Sequence, residues 1–106
     1  MTEVEINAGA CGFITRVRAS KDGAQRVELA INSGCAAVEK LAAELKELGF
    51  DELLRHRFAQ GPVAELAGRT LKHSACPVVA GILKAAEVEL GLNVPKEAAI
   101  TFVEPE

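Results

Sequence analysis

The chain has 106 residues, of which 49% are hydrophobic and 25% charged, and its formal net charge is -3. This length suits one domain, and this composition is that of an average globular protein, which excludes intrinsic disorder and fibrous architectures. Proteins that bind nucleic acids usually carry an excess of basic residues, which this chain lacks, so we expect no nucleic-acid partner.

The first third of the chain alternates apolar and polar residues as half-buried β-strands do. Val4 and Ile6 alternate with glutamates, a glycine-containing turn signal follows, and two more alternating segments flank Lys21-Asp22-Gly23-Ala24. The apolar sets of those two segments fall on odd numbers, so paired residue numbers sum to an even value. This parity predicts a hairpin loop of about three to five residues with Gly23 at a positive φ.

Within that parity, we expect Val17 to lie opposite Leu29. The same register brings Cys11 opposite Cys35 at the open end of the hairpin. The pairing of the strands is thus a first indication that two thiols meet.

From Cys35 onward, the apolar residues follow the 3.6-residue spacing of an amphipathic helix. Asn32 or Ser33 can supply the N-cap, and Gly49 is a typical C-terminal stop. We therefore predict one long helix between Cys35 and Gly49, followed by a short helix that begins at Asp51.

Two more helices and a strand complete the predicted fold. Apolar stripes run from Val63 to Leu71 and from Val78 to Leu90, with Pro77 in the first turn of the last helix. The run Ala98 to Val103 predicts a weak C-terminal strand. This segregated order favours a single α+β domain over residues 1–106. It has two layers, an antiparallel three-stranded meander plus the weak C-terminal strand, packed by three to four helices.

The chain carries no sign of export or of a membrane span. No stretch approaches the roughly 20 apolar residues of a span, and the acidic start, Met1 to Glu5, lacks the regions of a secretory signal. We therefore expect a cytoplasmic protein with no membrane partner. The sequence also lacks a glycine-rich phosphate loop, a Gly-x-Ser-x-Gly elbow and a His-Glu-x-x-His helix, so we do not expect an enzyme.

Three cysteines carry the functional hypothesis. Their odd number excludes a disulfide framework and leaves metal binding, reactive thiols or core packing. Cys11 lies in the glycine-flanked turn, whereas Cys35 and Cys76 each begin a predicted helix, whose positive end favours the thiolate form that binds metals. If both helices pack on one face of the sheet, the three thiols meet, and His73 is the best-placed fourth ligand.

The cysteine motifs stand in a characteristic order. Ala10-Cys11-Gly12 follows the first strand, Ser33-Gly34-Cys35 precedes the first helix, and His73-x-x-Cys76-Pro77 precedes the last helix. This order resembles the iron–sulfur scaffold fold of the NifU N-terminal and IscU proteins. Taken over its whole length, the chain looks most like a family of small anaerobe and archaeal proteins of unassigned function, with a Cys-Gly-Phe, a Gly-Cys and a His-x-x-Cys-Pro-Val motif.

The scaffold resemblance implies that Cys11, Cys35 and Cys76 bind an iron–sulfur cluster or zinc, with His73 as a further ligand. Two positions depart from the scaffold pattern. Phe13 stands where scaffolds have an Asp, and Ala75 stands where their His directly precedes the last Cys. Because that Asp is associated with cluster release, the departures favour a protein that retains its metal over one that transfers it.

Two other functions stay open. In the first, the chain is a structural or interaction domain with buried structural thiols, which forms a homodimer through Gly81 or through the face from Leu54 to Phe58. In the second, it is a thiol redox or transfer enzyme, with Cys76 and His73 as the nearest nucleophile and base. Each of the three functions predicts a different behaviour of the thiols.

Overall fold

The computed structural model describes residues 1–54 and 57–105. Its strands are β1 (Thr2–Asn7), β2 (Ile14–Lys21), β3 (Arg26–Ser33) and β4 (Glu47–Gly49). Its helices are α1 (Ala36–Glu44), α2 (Phe50–Leu54), α3 (Pro62–Thr70) and α4 (Val78–Glu89), with a 3-10 turn over Phe58–Gln60. The strands form one antiparallel sheet in the order β1-β2-β3-β4, and α1 and α4 pack on it. This architecture confirms the predicted α+β class and the antiparallel meander.

The two faces of the sheet differ in burial and charge. Every second side chain of β2 and β3 is buried, and those residues form the core together with apolar residues of α1 and α4. The opposite face is exposed and carries ion pairs, among them Arg18 with Glu3 at 3.0 Å and Arg16 with Glu5 at 2.9 Å. The arginines of β2 therefore pair with β1, and the open face is explained by cross-strand charge pairing.

The β2–β3 hairpin confirms the predicted loop. The Asp22 N–H donates to the Arg26 carbonyl over 2.9 Å and closes a loop of residues 23–25, in which Gly23 has a φ of +77°. A positive φ is a conformation that glycine adopts at no steric cost. The loop length and the conformation of Gly23 are both as the parity argument predicts.

The predicted register of the hairpin is wrong by two residues. Val17 lies opposite Ile31 instead of Leu29. A shift of two residues leaves every apolar side chain on the same face, so alternation alone does not distinguish the two registers. The observed register does not bring Cys11 opposite Cys35, because Thr15 already pairs with Ser33 at the last position of β3.

The predicted helix from Cys35 to Gly49 is also wrong in its second half. Helix α1 ends at Glu44, and the chain then turns back so that the Lys46 carbonyl accepts a 2.8 Å hydrogen bond from the Leu29 N–H. Residues Glu47–Gly49 continue this pairing as β4. The free edge of β3 offers backbone partners to this segment, and Leu48 is buried in the strand as it would have been in a helix.

The fourth strand of the sheet is thus β4, and the C-terminal segment carries no strand. The run Ala98 to Val103, where the sequence predicts a weak strand, has no regular structure, and every residue of 93–105 is exposed. Ile100 is 89% exposed and Phe102 98%. A strand needs a backbone partner and an apolar surface, and this segment contacts neither in the structure.

Helix α4 is held on the sheet at both of its ends. Near its start, Gly81 packs so closely on Ile6 of β1 that a Cβ at position 81 would overlap the Ile6 side chain. Near its end, Glu89 accepts hydrogen bonds from Thr2 Oγ1 at 2.8 Å and from the Lys21 N–H at 2.9 Å. The helix therefore runs antiparallel to β1, and Gly81 makes the close helix packing contact within the chain.

We predict that Gly81→Ala destabilises the fold by about 1 to 2 kcal/mol, because overpacking against Ile6 outweighs the gain in helix propensity. Gly68 is the matched control, since it also lies in a helix but a Cβ there meets no atom within 4 Å. Gly68→Ala should therefore stabilise the fold by up to about 1 kcal/mol. Urea unfolding measures both, and equal effects at the two positions would contradict the close contact.

A second prediction concerns Glu89. Its hydrogen bond from the Lys21 N–H, followed by that from Thr2, holds the pKa of this carboxyl below its usual value. A carboxyl whose pKa is lower in the folded than in the unfolded protein stabilises the fold when it is ionised. This stabilisation is complete above the ordinary pKa of about 4.3, and it is lost as the pH falls through the lower pKa of the folded protein. Glu89→Gln should lower the free energy of unfolding at pH 7 by about 1 kcal/mol. The difference in unfolding free energy between this variant and the unaltered chain should shrink below about pH 4.

The control for Glu89 is Glu97→Gln, which removes the same charge from an exposed position beyond α4. Its unfolding free energy should follow that of the unaltered chain at every pH. Urea titrations between pH 3 and pH 7 make the comparison. A Glu89→Gln deficit that stays constant with pH would exclude the ionised carboxylate as its source.

Candidate functional site

Cys11 lies at the tip of the turn that joins β1 to β2. The Gly12 N–H donates to the Gly9 carbonyl over 2.9 Å, and both glycines have positive φ, at +86° for Gly9 and +76° for Gly12. The Asn7 side chain stabilises the turn by accepting a hydrogen bond from the Gly9 N–H at 3.0 Å. Cys11 is exposed, so its thiol is open to a ligand and plays no part in the core.

Cys35 is the N-cap residue of α1. No side chain caps the helix directly, but Ser33 Oγ, two residues earlier, accepts a 3.1 Å hydrogen bond from the Cys35 N–H. The same Ser33 oxygen accepts from Thr15 Oγ1 at 2.8 Å, and Thr15 is only 1% exposed. The prediction that Asn32 or Ser33 supplies the N-cap is therefore wrong, because Cys35 holds that position and Ser33 binds only the amide of Cys35 from outside the helix.

The Ser33 backbone is bound as well. Its N–H donates to Glu39 Oε2 over 2.9 Å, which places a carboxylate in the first turn of α1 near Cys35. A carboxylate there compensates the positive end of the helix dipole. The sequence pattern does not reveal this role of Glu39, because a spacing of six residues is not a capping-box signal.

A contact between Phe13 and Gly34 joins the Cys11 turn to the start of α1. A Cβ built on Gly34 would lie 3.0 Å from Phe13 Cδ1, so the ring rests against the glycine next to Cys35. Phe13 is nevertheless 42% exposed. The ring links the two cysteine-bearing segments but leaves this part of the molecule open to solvent.

Cys76 precedes α4 in a short turn. The Cys76 N–H bonds to the His73 carbonyl at 3.3 Å, and the N-cap of α4 is Pro77, one position earlier than the first-turn site predicted for it. Cys76 is half-buried, packs against the core and lines a groove of about 450 Å³ between α3 and α4, together with His73. Phe58, which is 63% exposed, lines the other part of this groove.

The topology brings the three cysteines to the same end of the sheet. The Cys11 turn leaves β1 after Ile6, Cys35 follows the end of β3, and the contact of Gly81 with Ile6 places the start of α4 there as well. His73 and Cys76 share a groove. Among the residues that the structure describes, however, no group of three or more His, Cys, Asp or Glu side chains is placed to hold a metal ion.

Comparison with known proteins gives the family. The model of a family of unknown function (DUF6951) matches residues 2–102, and the chain belongs to this family. No curated protein and no solved structure matches the chain. In the described part of the chain, no helix is both long and apolar enough to cross a membrane.

We predict that Ser33→Ala destabilises the fold by about 1 to 3 kcal/mol, because it leaves the buried Thr15 hydroxyl without its hydrogen-bond partner. The matched control is Asn32→Ala, since Asn32 is exposed and was the other predicted cap. It should change the free energy of unfolding by less than about 0.5 kcal/mol. Thermal and urea unfolding measure both variants, and equal losses would contradict the role of Ser33.

Proposed function

We propose that the protein binds a transition-metal ion or an iron–sulfur cluster through the thiolates of Cys11, Cys35 and Cys76. The observation that supports this most is the placement of three free thiols at one end of the sheet, each at a turn or before a helix. The donor chemistry fits, because thiolate sulfur is the preferred ligand of zinc and of iron–sulfur clusters. Three free cysteines also suit the reducing cytoplasm in which we expect the protein.

The exposure of Cys11 argues against a purely structural role for all three thiols. Unpaired cysteines that fill a core are among the most buried residues. Cys11 is exposed, whereas Cys35 and Cys76 are half-buried and packed against the core. Packing therefore accounts for two of the cysteines but not for the third.

Ligation by all three cysteines requires a movement, because the side chains as placed do not form a complete ligand set. Helices α1 and α4 are packed on the sheet, so the exposed Cys11 turn and the exposed connection that carries His73 are the parts that would move. His73, in the groove next to Cys76, is then the fourth ligand. A zinc ion held this way would cross-link the sheet to both helices, and a cluster would add one-electron chemistry.

Phe13 favours retention of the metal over its transfer. The ring rests on Gly34, beside Cys35, at the position where the scaffold proteins that the sequence resembles have an Asp. A phenyl ring supplies neither a charge nor a competing oxygen ligand. The proposed function is therefore that of a protein that keeps its metal or cluster bound.

A second candidate is an interaction domain with structural thiols. Leu54 is 56% exposed and Phe58 63%, so this face presents apolar side chains to a partner. Arg57 of the predicted interface is exposed as well, whereas Arg55 and His56 lie outside the described residues. This candidate predicts that the thiols contribute to folding and bind no metal.

Titration of the reduced, metal-free chain with Co²⁺ under anaerobic conditions tests the proposal. Thiolate ligation produces charge-transfer absorption above about 300 nm. The band is easy to measure because the chain has no Tyr and no Trp. We expect one ion per chain, displacement by Zn²⁺, and a loss of affinity of roughly tenfold or more for Cys11→Ser, Cys35→Ser or Cys76→Ser.

His73→Ala and Lys72→Ala form a matched pair, since both residues are exposed and line the same groove. Only His73→Ala should change the affinity and the spectrum. A chain that binds no metal and melts at a lower temperature after Cys35→Ser or Cys76→Ser would support the interaction domain. A metal-free chain with one thiol that reacts much faster with iodoacetamide than the others would indicate redox or transfer chemistry.

A further inference from the structure

The C-terminal segment Ala98–Val103, here called the tail strand, has the composition of a β-strand but no partner. It contains Ile, Thr, Phe and Val, and it is bounded by Lys96-Glu97 on one side and Glu104-Pro105 on the other. Its apolar side chains are almost fully exposed, with Ile100 at 89%, Phe102 at 98% and Val103 at 81%. A soluble chain rarely exposes such a run unless something covers it.

The chain between α4 and the tail strand is hydrogen-bonded to the end of the helix. The Leu92 N–H bonds to the Glu87 carbonyl at 2.8 Å, and the Asn93 side chain donates to Glu87 Oε1 at 3.0 Å. These bonds attach the connection to the last turn of α4. The tail strand covers nothing in its own chain, so a surface that receives it would have to belong to another molecule.

Strand β1 offers a matching acceptor. It is an edge strand of six residues, the same length as the tail strand, whereas the other edge strand, β4, has three. Half of the backbone groups of an edge strand point outward without a partner. Val4 of β1 is only partly buried although it packs against the core, so an added strand would complete its cover.

We propose that the tail strand of one copy of this chain pairs with the outer edge of β1 in a second copy, and that the exchange is reciprocal. A two-fold arrangement lets each copy give one strand and receive one, which extends both sheets to five strands. Ile100 and Phe102 point to the same face of the added strand because side chains repeat every second residue. Covering them in both copies supplies the driving force for a dimer.

Sedimentation velocity of the full chain over a range of concentrations tests this dimer. The sample contains a reductant and a chelator, so that disulfide-linked and metal-bridged dimers do not form and the result is independent of the proposed metal site. We expect a dimer that dissociates on dilution. Ile100→Glu with Phe102→Glu should weaken it roughly 100-fold or more, because four charges would enter the apolar contact.

The matched control is Val94→Glu, which places a charge at a residue 59% exposed but outside the tail strand. It should leave the dimer unchanged. Hydrogen exchange should show that the amides of residues 2–7 and 98–103 become protected together as the concentration rises. A monomer at all concentrations, with or without a protected tail strand, would overturn the proposal, as would a dimer that persists in the Ile100→Glu, Phe102→Glu variant.

Discussion

The packing of Gly81 of α4 on Ile6 of β1 is the contact on which the arrangement of this molecule depends. It brings the helix backbone close to the sheet, and Glu89, two turns later, anchors the other end of the helix to Thr2 and Lys21. Because the helix is held at both ends, its direction is determined, and Cys76 lies at the end of the sheet where β1 turns towards β2. Helix packing therefore brings the Cys76 segment to the end of the sheet at which strand order already places the Cys11 turn and Cys35.

The two helix starts at this end of the sheet differ in charge. Helix α1 has Glu39 in its first turn, hydrogen-bonded to the Ser33 N–H, whereas α4 has no acidic residue in its first turn and no side-chain cap. The positive end of the α4 dipole is therefore less compensated. Cys76 precedes that helix and shares its groove with His73, so the less compensated of the two helix starts lies beside these two side chains.

Periodicity in the sequence predicts the class of this fold well, because it reports which face of each element is buried. Periodicity does not determine the register of the strands, because the same side chains face the core whether Val17 lies opposite Leu29 or opposite Ile31. Periodicity does not predict strand β4 either, since a buried Leu48 is compatible with a helix or a strand. This segment becomes a strand because it pairs with the free edge of β3. The run Ala98 to Val103 shows the converse: its local pattern is typical of a strand, but the segment has no regular structure and no pairing partner in the chain. The candidate cysteines could be chosen from their motifs, but their separation depends on the geometry of turns that no pattern encodes.

The X-ray absorption spectrum of the zinc-loaded chain counts the atoms bound to the metal and so tests the proposed site directly. Ligation by the three cysteines and His73 should give three sulfur neighbours at roughly 2.3 Å and one nitrogen at roughly 2.0 Å, with one sulfur lost in each Cys→Ser variant. A first shell of oxygen and nitrogen with one sulfur or none would contradict it.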